Sequence, residues 1–157
     1  MVFDDNLSPV GTQTHKLSEK VDKEALERLQ YYGDANIIPT DESYFDITEN
    51  GKISLKEEIK SKATTTDEYI AEVTNIIIPY KIGNQIVTSI GDDAFYDCSG
   101  LTNIIIPNSI TKIGTGAFCK CSGLTNIKIP DSVISIWNYA FSHCLNLERI
   151  IIPNSIT

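Results

Sequence analysis

A repeat of 23 residues organises the second half of the chain and constrains its fold more than any other feature. Its copies run from Ile90 to Lys112, from Ile113 to Ser135 and from Ile136 to Thr157. The same period is kept by Pro107, Pro130, Pro153, Phe95, Phe118 and Phe141. Because one such unit cannot bury its apolar side alone, this self-similarity predicts a solenoid of stacked coils.

Each repeat carries an aliphatic pattern typical of a short inward-facing strand. In the first copy, Leu101, Ile104 and Ile106 follow L-x-x-L-x-L spacing, which directs the three side chains to one side. A proline then ends the strand, since it has no N–H to continue the ladder. Ile113 and Ile136 are predicted to close a second side as another short strand.

The third side of each coil is predicted to be a short helix. Residues that cap helix N-termini recur at one position, and residues that tolerate a left-handed backbone recur at another. The first set is Asp92, Thr115 and Asn138, and the second is Gly100, Gly123 and Asn146. The expected fold class is therefore an α/β solenoid whose coils contain a strand, a second short strand and a short helix.

The consensus I-G-x-x-A-F-x-x-C-x-x-L-T-x-I-x-I-P-x-S-[IV] resembles the BspA-type leucine-rich repeat family over residues 70 to 157 approximately. The resemblance implies a right-handed leucine-rich-repeat solenoid that acts in adhesion or protein recognition at a cell surface. Two positions depart from the pattern in the last copy. Trp137 replaces the glycine at 91 and 114, and Leu145-Asn146 replaces Ser-Gly.

The residues before the repeats divide into an arm at 1–40 and a cap at 41–72, with the repeats at 73–157. Helical spacing of Ala25, Leu29 and Tyr32 predicts a helix at 18–33, and Gly33 is its expected end. A hairpin is expected at 44–55 around Asn50-Gly51, followed by a charged segment. A second hairpin is expected in the five-residue insertion near Gly83-Asn84.

The leader VDKEALERLQYYGDANIIP is similar to the beginnings of some bacteriophage tail-associated proteins. The first 20 residues have no basic region followed by an apolar core, so no secretory signal is expected in the chain as written. The resemblance implies an alternative function, in which a phage tail protein docks through its N-terminal helix and binds a host through its repeats. It also leaves the localisation open between a cell surface and a phage particle.

The charge distribution argues against two classes of partner. The net charge is −8, and residues 1–72 hold 16 of the 21 acids and 8 of the 13 bases. No lysine- or arginine-rich stripe is present, so neither nucleic acid nor an anionic membrane is the expected partner. No apolar run approaches the roughly 18 residues that a membrane-spanning helix requires, so membrane insertion is not expected either.

The cysteines and histidines do not form a recognisable catalytic or metal-binding pattern. Cys98, Cys121 and Cys144 recur with the repeat and are predicted to stack as buried, uncharged thiols, which we name the cysteine ladder. Their expected Cα spacing does not by itself exclude a disulfide. Cys119 lies beside the ladder, and a lone C-x-C falls short of a zinc set. We expect no catalytic residue, metal or cofactor, and hence no enzyme.

The outward positions of the predicted first strands form the candidate binding surface, which we name the strand face. Stacked coils align a threonine row, an asparagine row and an isoleucine-rich row on it. One interpretation is a solubilising ladder; the other is a recognition surface, because solenoids bind through such extended faces. The candidate contact residues are Asn103, Ile105, Asn126, Lys128, Arg149 and Ile151.

The leading functional hypothesis is a non-enzymatic recognition module that binds a protein or surface glycan through the strand face. The chain also has two candidate surfaces for self-association. One is the predicted helix at 18–33, which is too short to be stable alone. The other is the last coil, whose apolar residues we expect to be covered by a longer array or another subunit.

Overall fold

A computed structural model describes residues 23–65 and 71–157 and divides the chain into two compact units, Met1–Ile37 and Ile38–Thr157. In the first unit, residues 23–32 form a helix, α1. It ends where Gly33 adopts a φ of +72° and donates its N–H to Leu29 O at 2.9 Å. The predicted residues 18–22 of this helix lie outside the described residues.

The second unit consists of short strands, one 3-10 helix and one α-helix. The 3-10 helix is Glu42–Tyr44, and the α-helix, α2, is Glu57–Lys62. The strands are β1 (Phe45–Ile47), β2 (Lys52–Leu55), β3 (Asn75–Ile77), β4 (Lys81–Ile82), β5 (Gln85–Ile86), β6 (Ser89–Ile90), β7 (Asn103–Ile105), β8 (Lys112–Ile113), β9 (Asn126–Lys128), β10 (Ser135–Ile136) and β11 (Arg149–Ile151).

Antiparallel hairpins lie at both places where a glycine turn signal predicts one. β1 pairs with β2 around Gly51, whose φ is +75°, and β4 pairs with β5 around Gly83, whose φ is +57°. Glycine reaches positive φ without the steric penalty of a Cβ atom. The β1–β2 hairpin is continuous with the solenoid, because β2 pairs in parallel with β6.

The repeats form the parallel short strands expected of a leucine-rich repeat. One sheet has the order β1-β2-β6-β8-β10, and we name the outward side of its parallel part the second face. Its inward residues include Ile53, Ile90 and Ile113, which are at most 1% exposed. Side chains of a strand alternate between faces, so this register points the isoleucines into the core and their neighbours outward.

The first strands of the coils do not form one continuous sheet. β3 pairs with β7, and β9 pairs with β11, each in parallel. No strand pairing joins β7 to β9 among the described residues. The predicted strand face is therefore divided into two halves with separate hydrogen-bond ladders.

Stacked aromatic rings connect the three repeats through the core. The ring centroids of Phe95 and Phe118 are 5.1 Å apart, and those of Phe118 and Phe141 are 5.3 Å apart. The interplanar angles are 7° and 8°. Burial of one such side chain contributes about 1.5–3 kcal/mol, so the stack is a substantial part of the attraction between coils.

The third side of each coil is a run of turns, and the predicted short helix there is wrong. Phe95 donates its N–H to Ala117 O at 2.7 Å, and Phe118 repeats this bond to Ala140 O at 2.8 Å. The residues two before and two after Phe95 and Phe118 also donate their N–H groups to carbonyl oxygens of the next coil. An α-helix would use these N–H groups within one coil, whereas here every second one bonds to the next coil.

Left-handed backbone conformations accompany this pattern and exclude a helix directly. The residues are Asp93, Asp97, Gly116, Lys120, Tyr139 and His143, with φ between +52° and +63°. A residue in this region reverses the local chain direction and cannot continue a right-handed helix. The residues between these left-handed positions form tight turns. For example, Tyr96 donates its N–H to Asp93 O at 3.0 Å.

The predicted C-cap glycines serve close packing between coils. Neither Gly100 nor Gly123 has a positive φ. A Cβ on Gly123 would lie 2.5 Å from Leu101 O and 2.6 Å from Ser99 O. Both atoms belong to the backbone of the preceding coil, so a side chain would push the coils apart. Glycine is therefore required at position 123 because the two coils lie too close for a side chain. The prediction of a left-handed cap at Gly100 and Gly123 is wrong.

Candidate functional site

The structure places all six predicted contact residues on the strand face. Asn103, Asn126, Lys128 and Arg149 are exposed. Ile105 is half-buried, and Ile151 is 51% exposed. Their registers follow from the strand pairs, in which Ile77 faces Ile105 and Lys128 faces Ile151.

The two halves of the strand face differ in charge. The β3–β7 half presents asparagine and isoleucine. The β9–β11 half presents Lys128 and Arg149 beside Ile151, with Asn126 opposite Arg149 in the strand register. Three of the six predicted residues thus form a compact cationic and apolar group on adjacent coils, in a chain whose net charge is −8.

Several polar side chains of this face form hydrogen bonds within the chain. The amide nitrogen of Asn126 donates to Thr125 Oγ1 at 3.1 Å, and Asn75 donates to Thr74 Oγ1 at 3.0 Å. Thr102 Oγ1 donates to Thr74 O at 3.1 Å across the coils. These bonds favour the ladder interpretation for the threonine and asparagine rows, and they leave Lys128, Arg149 and Ile151 as the more distinctive residues.

Two of the three cysteines of the cysteine ladder are fully buried. Cys98 and Cys121 are 0% exposed, whereas Cys144 is half-buried. The Sγ atoms of Cys121 and Cys144 donate to Phe95 O at 3.0 Å and Phe118 O at 3.1 Å. Burial raises the pKa of Cys98 to about 12 and also raises the pKa of Cys121 and Cys144. Since nucleophilic attack and metal binding use the thiolate, these thiols suit packing.

The other candidates for chemistry are dispersed. Cys119 is half-buried, and His143 Nδ1 lies 2.8 Å from Ser142 Oγ. Within residues 23–65 and 71–157, no group of three histidine, cysteine, aspartate or glutamate side chains could hold a metal ion. His15 lies outside the described residues. In the same part of the chain, no helix is both long enough and apolar enough to cross a membrane.

A groove lies on the second face, and the sequence did not predict it. It has a volume of about 470 Å³ and runs across β2, β6 and β8 toward the last coil. Thr88, Thr111 and Thr115 line it, together with the charged residues Lys52, Lys112 and Asp92 and with Trp137. Ligand sites of small molecules commonly have volumes of roughly 300–1,000 Å³.

The residue pattern contained a signal for this groove. Lys52, Ser89, Lys112 and Ser135 stand in one outward row, because their strands pair in that register. Trp137, at the position of Gly91 and Gly114, is 59% exposed. In the sequence this residue stands out only as a departure from the repeat pattern, whereas in the structure it lines the groove.

Comparison with known proteins identifies the repeats. Residues 88–157 match the family described as "BspA type Leucine rich repeat region (6 copies)". A comparison with curated protein sequences finds no significant match. The chain therefore contains a region of this repeat type, as the consensus motif predicts.

Two solved structures illustrate the similarity. The leucine-rich repeat protein of T. pallidum is 26% identical with a TM-score of 0.60, and the match covers 76% of this chain and 52% of that protein. A leucine-rich repeat protein from Bacteroides ovatus is 36% identical with a TM-score of 0.48, over 53% of this chain and 20% of that protein. The chain thus spans about half of the first relative and a fifth of the second.

Proposed function

We propose that this chain, whose residues 88–157 form a BspA-type leucine-rich repeat region, is a non-enzymatic recognition module that binds a protein or surface glycan through its strand face. The observation that carries the proposal is the group formed by Lys128, Arg149 and Ile151 on β9 and β11. Exposed arginine beside an apolar side chain on a rigid scaffold is typical of binding hot spots.

The electrostatics of this group favour an acidic partner surface. Neither Lys128 nor Arg149 forms an ion pair within residues 23–65 and 71–157. Complementary charge mainly increases the association rate and is screened by salt. Ile151, which is 51% exposed, supplies apolar area that loses contact with water when a partner docks.

The test is a cell-binding measurement with a matched control. The double variant Ile105→Asp with Ile151→Asp places two acids on the strand face, whereas Ile134→Asp places one at an exposed isoleucine outside it. Binding of labelled protein to intact bacterial and epithelial cells is measured by flow cytometry. We expect the double variant to lose about tenfold or more in affinity and the control to bind as the parent does.

Two results would contradict the strand-face proposal. One is unchanged cell binding by a double variant whose circular dichroism spectrum is that of the parent. The other is an equal loss in the Ile134→Asp control. Lys128→Ala with Arg149→Ala adds a second readout, because it should reduce the dependence of the association rate on salt concentration.

The N-terminal arm is the subject of a separate truncation. The sequence places the boundary of the arm at residue 40, but Thr40 exchanges hydrogen bonds with Ile77, through Thr40 N–H to Ile77 O at 2.9 Å and Ile77 N–H to Thr40 Oγ1 at 2.8 Å. A truncation that spares β3 therefore removes residues 1–37. Unchanged cell binding after truncation supports a self-contained recognition module, and loss of oligomerisation supports an assembly role for the arm.

A further inference from the structure

The groove on the second face contains a large side chain that the solenoid backbone does not need. Gly91 N–H donates to Ile53 O at 2.8 Å, and Gly114 N–H donates to Ile90 O at 2.9 Å. Trp137 N–H makes the corresponding bond to Ile113 O at 3.0 Å. The hydrogen-bond ladder between coils is therefore the same with glycine or tryptophan, so backbone pairing does not explain the indole at this position.

The exposure of Trp137 points to a ligand. The residue is 59% exposed and lines the groove together with Gly114. An exposed indole offers a flat apolar face and one N–H donor. Such a face stacks on the C–H side of a pyranose ring. The hydroxyls of Thr88 and Thr111 donate to Asn50 O at 3.1 Å and to Thr88 O at 3.2 Å, so their oxygens remain as acceptors for sugar hydroxyls.

The charged residues of the groove determine which class of carbohydrate it can bind. Lys52 and Lys112 stand two strands apart in the outward row, which places their backbones about 10 Å from each other. Neither side chain has an acidic partner in the described part of the chain. Asp92 is the acid of the groove, and its Oδ1 accepts the N–H of Thr115 at 2.8 Å. The lining thus carries an excess of positive charge in an acidic chain.

We propose that this groove binds a carbohydrate that bears a carboxylate, with a pyranose ring stacked on Trp137 and the carboxylate held by Lys112 or Lys52. The second carboxylate oxygen of Asp92 and the hydroxyl oxygens of Thr88 and Thr111 accept hydrogen bonds from ring hydroxyls. This site is separate from the strand face and requires no covalent step. Uronic acids and sialic acids share the required chemistry.

Fluorescence offers a direct test, because Trp137 is the only tryptophan in the chain. The full chain is titrated with trigalacturonic acid, with its methyl ester and with N-acetylneuraminic acid, and the emission of the indole is followed. We expect trigalacturonic acid or N-acetylneuraminic acid to change the emission saturably. The ester keeps the ring and removes the charge, so we expect it to bind at least about tenfold more weakly than the acid.

Variants locate the binding. Lys112→Ser introduces the residue found at 89 and 135 in the same row and should weaken binding several-fold. Trp137→Gly restores the residue of the inner coils and should abolish binding measured by calorimetry. Tyr139→Ala removes an aromatic side chain that is 74% exposed and does not line the groove, and it should bind as the parent does.

Three outcomes overturn this proposal. They are no saturable signal from either acid at millimolar concentration, equal affinity for trigalacturonic acid and its ester, and full binding by Trp137→Gly. Preference for one acid over the other identifies the source of the carboxylate. None of these outcomes bears on the strand face, because the groove variants leave Ile105 and Ile151 unchanged.

Discussion

The coil of residues 113–135 and the coil of residues 136–157 share one repeat motif but differ in burial. Phe118 and Cys121 are 0% exposed, whereas Phe141 and Cys144 at the same positions are partly exposed. Just after the first strand, Ile129 is 1% exposed and its equivalent in the last coil, Ile152, is 55% exposed.

The difference shows that the neighbours of a coil determine how much of its motif becomes core. The inner coil is covered on both sides, and the last coil is covered on one side within this chain. In a solenoid, stability is approximately a sum of repeat terms and nearest-neighbour interface terms. Matched substitutions in the two coils should therefore have unequal effects.

The largest expected difference is at the aromatic stack. Phe118→Ala should lower the free energy of unfolding by about 3–5 kcal/mol, because it removes a fully buried ring between two others. Phe141→Ala should lower it less, since that ring is stacked on one side only. Urea unfolding followed by circular dichroism measures both, and equal losses would contradict the nearest-neighbour account.

A smaller difference is expected where the coils approach most closely. Gly123→Ala should cost about 1–3 kcal/mol, because its Cβ would overlap backbone oxygens that cannot move without separating two coils. Asn146→Ala, at the equivalent position, should cost about 1 kcal/mol through loss of the hydrogen bond from its amide to Ser122 O at 2.8 Å. If Gly123→Ala were neutral in the same urea assay, the close approach would not explain the glycine.

The cysteine ladder predicts a loss of stability at alkaline pH. Burial raises the pKa of Cys98 to about 12 from an ordinary value of 9.0, so the unfolded chain loses this proton at a lower pH than the folded chain does. The protonated Cys98 thiol contributes its full stabilisation of the folded state below pH 9. This stabilisation is lost as the pH rises toward 12, by about 1 kcal/mol over the first pH unit of that range.

Alanine variants test the origin of this alkaline loss. Cys121→Ala should reduce the slope of stability against pH more than Cys144→Ala does, because Cys144 is less buried. Urea unfolding at several pH values between 8 and about 11 measures the slopes. Identical slopes in both variants and the parent would mean that other groups cause the alkaline loss.

The smallest effect on stability is expected at the groove. Trp137→Gly should change the free energy of unfolding by no more than about 0.5 kcal/mol, since it leaves the backbone bond to Ile113 O in place. The same urea assay measures it. A loss as large as that from Phe118→Ala would show that the indole stabilises the last coil and would remove the main reason to assign it to a ligand.

The parts of the fold that local patterns determine could be predicted from the sequence. Glycine turns identified both hairpins, and the inward isoleucine and phenylalanine positions followed from the period. The predicted helix is wrong because the N–H groups of Phe95 and Phe118 bond to the next coil. A local capping pattern does not reveal an acceptor that lies on another coil.

The two candidate sites also differ in how far local sequence patterns predict them. The residues of the strand face come from one position of a visible repeat, so their alignment could be predicted, although the break between β7 and β9 could not. The groove joins Lys52, Lys112 and Trp137, which belong to different coils. Only the register β2-β6-β8-β10 brings them together.

The hydrogen bonds between successive coils have a consequence for how such chains diversify. Successive coils repeat the same donors and acceptors, so an in-frame duplication or loss of one whole repeat reproduces the interface that it disturbs. Outward positions such as 89, 112 and 135, which hold serine or lysine in the same strand register, can then change one at a time. Repeat number and surface chemistry are thereby free to evolve independently.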